Sequence, residues 1–130
     1  MLSVRSDNEA VPDAVDMMIP GVTGYRGWRF TATVAPHPPP GLPLGPGWMV
    51  ADADAARDLT LVPGVSDESV QKYLADSGVN AADRRGYPLV QSRGETIWIP
   101  SVRRFPFGWV DERTKRYLVI RSQSERTCQI

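Results

Sequence analysis

The clearest periodicity in the chain lies at residues 25–35, YRGWRFTATVA. Trp28, Phe30, Ala32 and Val34 alternate with Arg29, Thr31 and Thr33, and a period of two predicts a strand with one buried and one wet face. Upstream, VDMMI at 15–19 predicts a strand paired with it as a hairpin, with PGVTG as the intervening turn, where Gly21 and Gly24 can take positive φ. WMVADA at 48–53, DLTLV at 58–62 and KRYLVIR at 115–121 predict three more strands. PLVQS at 88–92 and ETIWI at 95–99 flank Arg93-Gly94, a dipeptide suited to a tight two-residue turn. Leu89 and Val90, and Ile97, Trp98 and Ile99, make both faces apolar, which predicts a central hairpin covered on two sides.

Only one stretch changes to helical spacing. Val70, Tyr73 and Leu74 form a stripe that predicts a helix over about 67–77. Ser66 is its expected N-cap, Asp67 and Glu68 suit the positive end of the helix dipole, and Gly78 suits the C-terminal cap. Asn80 is placed to cap a single further turn, AADRR, closed by Gly86. SVRRFPFG at 101–108 reads as an irregular loop, and PHPPPGLPLGPG at 36–47 as a semi-rigid connector that proline excludes from helix or central strand. The sum is about seven strands and one main helix. It predicts an α+β domain of mostly antiparallel, β-sandwich-like sheets with the helix on one face. Residues 1–14 are expected to be a flexible lead-in, 15–121 a single domain, and 122–130 a polar tail.

Composition agrees with this and narrows the chemistry. A chain of 130 residues fits one domain, and 12 prolines with 11 glycines favour turns and short strands. Net charge is zero, yet residues 1–65 carry four basic and seven acidic side chains and residues 66–130 carry eleven and eight. The second half therefore suits an anionic partner, although a solvated surface also accounts for it. Cys128 is the only cysteine, so no disulfide can form within the chain and no zinc spacing exists. His37 sits in the proline-rich connector without a Cys or acidic neighbour, which leaves it no catalytic or metal role. No apolar run approaches a membrane span, and a reducing, cytoplasmic location is expected. Paired carboxylates, Cys–His and Ser–His arrangements are all lacking, so catalysis by this chain is not expected. The aromatic residues beside Arg26 and Arg29 could stack nucleobases, or could be core aromatics beside solvated arginines.

From Trp48 onward the order of signals resembles the C-terminal domain of tRNA(Ile)-lysidine synthetase. The matching stretches are WMVADAD (48–54), LTL (59–61), VQKYLADSGV (70–79), Arg84 before YPLV (87–90), IWIPSVRR (97–104) and DERTKRYLVI (111–120). IPGVTGYRGWRFTA upstream is similar to the segment leading into that domain, so the resemblance covers roughly residues 15–121. It implies a fold shared with a domain of phenylalanyl-tRNA synthetase. It also implies a tRNA-holding role beside a separate N-terminal catalytic domain, which uses ATP and lysine to convert a wobble cytidine to lysidine. That catalytic domain carries an SGGxDS-type loop, and nothing here resembles it.

The resemblance therefore implies a non-catalytic chain with no cofactor of its own, whose partners are tRNA(Ile) and the ATP-using catalytic domain. Arg84, Arg103, Arg104, Arg113, Lys115 and Arg116 are the implied phosphate contacts. The chain departs from the family at Val62-Pro63-Gly64-Val65, where a basic loop is usual, at Glu68-Ser69, where a basic pair is usual, and at Ser101, where glycine is usual. Arg84 can alternatively brace a helix end or pair with Asp83 or Glu95. A different class of function, a protein-interaction or homodimerisation module, is motivated by the aromatic run FPFGW at 105–109.

Overall fold

The computed structural model describes residues 14–39, 47–56 and 58–124. Most of the lead-in, the centre of the proline-rich connector and the last six residues lie outside the described residues. Among the described residues the strands are β1 (Val15–Asp16), β2 (Gly21–Tyr25), β3 (Trp28–Ala35), β4 (Trp48–Asp52), β5 (Leu59–Pro63), β6 (Pro88–Ser92), β7 (Glu95–Ile99), β8 (Arg103–Arg104) and β9 (Tyr117–Ser124). The helices are α1 (Gln71–Asp76) and α2 (Ala81–Arg84), and two 3₁₀ turns, Gly64–Ser66 and Glu68–Val70, precede α1.

Two antiparallel sheets result. One has the order β1-β5-β6-β7-β8 and the other β2-β3-β9-β4. Alternation along the strands explains the layers. Leu61 lies opposite Val90 and Val90 opposite Trp98, and this row belongs to the core between the sheets with Phe30, Met49, Leu118 and Ile120. Their neighbours Val62, Leu89 and Ile99 point the other way and pack with Val70 and Leu74 of the helical segment. The five-stranded sheet is thus covered on both faces, as the doubly apolar 88–99 hairpin requires, and the α+β class holds. The turn of that hairpin is Arg93-Gly94, with φ of 52° and 88°. Both values are left-handed, as a type I′ turn demands.

Three expectations about the strands are corrected. First, VDMMI does not form a hairpin with 25–35. Val15 and Asp16 instead pair with Leu61 and Thr60 of the other sheet, and the stretch assigned to the turn becomes β2. The real turn is Arg26-Gly27 (φ 49° and 85°), so Tyr25 faces Trp28, and Thr23 and Tyr25 alternate inward. Second, Arg103 and Arg104 are not loop but a short strand paired with Ile99 and Trp98. Third, the last strand passes residue 121 and stays paired with β3 as far as Ser124 opposite Trp28. The Ser122 hydroxyl donates to the Gly47 carbonyl (3.0 Å), so this end of the strand is fastened rather than frayed.

The helical segment begins later than its spacing predicts, and Asp67 is its cap instead of Ser66. Ser66 is held inside the first 3₁₀ turn, whereas Asp67 has the extended backbone (φ −142°, ψ 99°) that a cap needs. Its carboxylate accepts from the Ser69 amide (3.0 Å), the Ser69 hydroxyl (2.6 Å) and the Thr96 hydroxyl of β7 (2.6 Å). At the other end, Gly78 (φ 87°) donates to the Ala75 carbonyl and Val79 to that of Leu74, the paired bonds of a Schellman cap. Asn80 caps α2 as expected, with its carbonyl Oδ1 accepting from the Asp83 amide (3.0 Å).

Burial pushes the Asp67 carboxyl upward, but the two hydroxyls and the Ser69 amide outweigh it and leave its pKa lowered. Its stabilisation is therefore present above the unfolded value near 3.8 and is lost as pH falls through the lower folded value. Asp67→Ala is expected to cost about 1 kcal/mol at neutral pH, with the gap to wild type closing as pH drops below about 4. Urea titrations of both proteins across that range check it, and a gap independent of pH would contradict the assignment.

Candidate functional site

Strand alternation splits the arginine pair at 103–104. Arg103 is exposed on the helix side, its guanidinium 5.1 Å from the Tyr73 ring centre and 5.4 Å from that of Phe105. Those rings meet edge-on at 5.4 Å, so the charge rests on a fixed aromatic platform. Arg104 turns toward the opposite sheet. It donates to the carbonyls of Phe105 (3.1 Å), Val50 (3.1 Å) and Phe107 (2.9 Å), and lies 4.1 Å over the Trp109 ring. Its Nε is buried without a hydrogen-bond partner, and burial lowers the pKa of the group from its ordinary value.

Through Val50, Arg104 ties β8 of one sheet to β4 of the other, and both of its terminal nitrogens bond inside the fold. Arg104→Met is expected to cost about 2 kcal/mol, since three carbonyls lose a charged donor and the stem is largely retained. Chemical denaturation measures this. A change below about 0.5 kcal/mol would show that the brace contributes nothing.

Residues 111–116 form a tightly bonded turn that presents the remaining cations. The Asp111 carboxylate accepts from the Arg113 amide (2.8 Å), the Thr114 hydroxyl accepts from the Asp111 amide (3.0 Å), and the same hydroxyl donates to the Asp52 carboxylate (3.2 Å). The Ala53 amide donates to the Arg116 carbonyl (3.0 Å), which locks the turn to the end of β4. On this frame Arg113, Lys115 and Arg116 are exposed. Arg116 pairs with Asp54 at 2.6 Å, both side chains being more than half exposed (54% and 62%), so water screens the pair and leaves it weak.

Arg84 takes the bracing role that was its alternative. Its Nε donates to the Val79 carbonyl (2.8 Å), closing the link between α1 and α2. Its neighbour Arg85 is the one that faces outward. The expected aromatic patch at 105–109 also shrinks: Phe105 packs against the helical cluster and Phe107 against the main core, and Trp109 alone of the three is largely exposed, at 57%.

A concavity of about 1070 Å³ opens between the β2–β3 turn, α2 and the end of β9. Arg26, Trp28, Arg85, Gly86 and Tyr87 are among its lining residues. Trp28 meets Tyr87 edge-on at 5.3 Å, and the Tyr87 hydroxyl donates to the Pro100 carbonyl (2.6 Å). Burial pushes that phenol up to about 12. The spacing of 25–35 marks Arg26 and Trp28, but Arg85 and Tyr87 carry no local signal that would join them to it.

Among the described residues, no group of three or more His, Cys, Asp or Glu side chains is placed to hold a metal ion, and no helix is long and apolar enough to cross a membrane. No protein-family model matches the chain. No curated protein matches it either. Among solved structures, the crystal structure of a TILS C-terminal domain superimposes with a TM-score of 0.72 at 17% identity, covering 85% of this chain and 95% of that one. The chain thus has the fold of that domain over nearly its whole length, a likeness of architecture at low identity.

Proposed function

We propose that the chain is a non-catalytic, tRNA-binding domain of a lysidine-forming enzyme, working beside a catalytic domain that supplies the ATP- and lysine-dependent step. The fold likeness, which spans 95% of a TILS C-terminal domain, carries this reading. The exposed cations support it. Arg103 on its aromatic platform, and Arg113 and Lys115 on a bonded turn, are charges held on rigid backbone, which suits recognition of a phosphate backbone by shape. Arg116 adds to the turn with its charge partly offset by Asp54. Arg84 and Arg104 support the interface from within, positioning it rather than meeting phosphate.

Filter binding of the chain to a tRNA(Ile) transcript tests the proposal. Binding is expected at about 50 mM salt and should weaken steeply as salt rises, because each phosphate contact releases counterions. No retention at that salt, or retention indifferent to salt, would overturn it.

A further inference from the structure

We propose that the cleft between the β2–β3 turn and α2 binds a nucleotide, its base against Trp28 and its phosphate at Arg26 and Arg85. The inference rests on the RNA-binding reading for the source of the nucleotide, but not on the Arg103 and Arg113–Lys115 surface.

Three observations converge on this site. The first is its shape. At about 1070 Å³ it lies just above the usual range of small-ligand sites, and it brings a hairpin turn, a helical turn and a strand end together. The second is charge. A Cβ built on Gly86 would lie 3.0 Å from Arg26 Nη2 and 3.2 Å from its Nε. The Arg26 guanidinium therefore lies across the residue next to Arg85, and two arginines from distant parts of the chain share one rim. Among the described residues lining the cleft Asp83 is the one carboxylate, against Arg26 and Arg85, so the local balance of formal charge is positive. The smaller concavity beside α1, about 430 Å³, has the opposite character, with Asp67 and Glu95 and no basic residue in its lining.

The third observation is the aromatic wall. Trp28 is half-buried, held edge-on by Tyr87 at 5.3 Å and stacked with Phe30 at 6.2 Å with planes 21° apart. Its ring is fixed before any ligand arrives, which reduces the ordering cost of binding. Tyr87 is fixed in turn by its bond to Pro100. An aromatic surface beside guanidinium groups is the chemistry that holds unpaired bases and their phosphates, whether in a strand or as a free nucleotide.

The test uses the full chain with three probes: AMP, a single-stranded RNA trinucleotide and inorganic phosphate. Binding is followed by the Trp28 indole N–H resonance. Saturable shifts are expected with AMP and the trinucleotide. Arg85→Ala should weaken both by about tenfold, the loss of one charge-assisted contact. Gly86→Val places a side chain against the Arg26 guanidinium and should weaken both, while thermal melting and the remaining resonances show that the fold is kept. Tighter binding of the trinucleotide identifies RNA as the source, and equal or tighter binding of AMP identifies a free nucleotide; either supports the site. If folded wild type shows no shift with any probe at about 5 mM, or if phosphate alone matches AMP, the proposal is overturned. tRNA retained on filters with no shift from AMP or the trinucleotide refutes the cleft alone, whereas a shift from either without tRNA retention refutes the surface reading alone.

Discussion

Trp98→Ala is expected to destabilise the domain by about 3–5 kcal/mol, lowering its melting temperature by roughly 10–20 °C. Trp98 is 2% exposed and stands at the end of the Leu61–Val90–Trp98 row, where the covered sheet meets the other one. Its ring meets Phe30 of the opposite sheet edge-on at 6.4 Å. Among the described residues, truncation removes the largest of the fully buried side chains, from the core between the two sheets. Val90 and Phe30, which flank it, belong to strands paired on both sides, so the gap cannot collapse there without disturbing the ladders, and cavity cost adds to transfer cost. Thermal melting followed by circular dichroism measures the effect. A loss below about 1 kcal/mol would mean that the interface between the sheets is not the principal source of stability.

Replacing Arg103, Arg113 and Lys115 together by glutamine is expected to weaken tRNA binding by on the order of 100-fold near 100 mM salt, and to flatten the log–log salt dependence by about three. Each of the three is exposed and sits on backbone that the fold holds in place, so each substitution removes a charge and leaves the structure intact. Arg104→Met separates the two roles of arginine here. It should shift the denaturation midpoint and leave the salt slope nearly unchanged, because its guanidinium is committed to three carbonyls. Salt series by filter binding on the triple variant, Arg104→Met and wild type distinguish these outcomes. An unchanged slope in the triple variant would remove these residues from the interface.

The parts of the fold that were legible in the amino-acid sequence are those with local causes. The 88–99 hairpin carries its turn dipeptide and its double apolar face within twelve consecutive positions. The caps at Asn80 and Gly78 likewise depend on neighbours only. The failures arise where two local signals compete or where periodicity is too short to read. Pro20-Gly21 and Arg26-Gly27 both favour a turn, and pairing of Thr23 with Phe30 decides for the second. Two residues of β8 show no period, so the opposed directions of Arg103 and Arg104 emerge only from their ladder with β7.

Candidate site residues follow the same logic. Arg84 and Arg85 are adjacent on one helical turn, and tertiary packing alone turns the first inward to Val79 and leaves the second outside. The cleft was illegible as a unit because its walls come from three segments far apart in the chain. Function was legible only through the resemblance, which the shared architecture supports at the level of fold.

β9 lies between β3 and β4, and these two strands touch β9 rather than each other. The four-stranded sheet therefore has no complete interior until the strand nearest the end of the domain is in place. As the chain leaves the ribosome, β2 and β3 can pair early, but β3 and β4 each present an open edge until residues 117–124 emerge. Closure of this layer waits on pairing between strands far apart along the chain, the kind of contact that slows folding relative to local pairing. A polypeptide cut before Tyr117 would keep both open edges, which makes it a substrate for chaperones and for self-association.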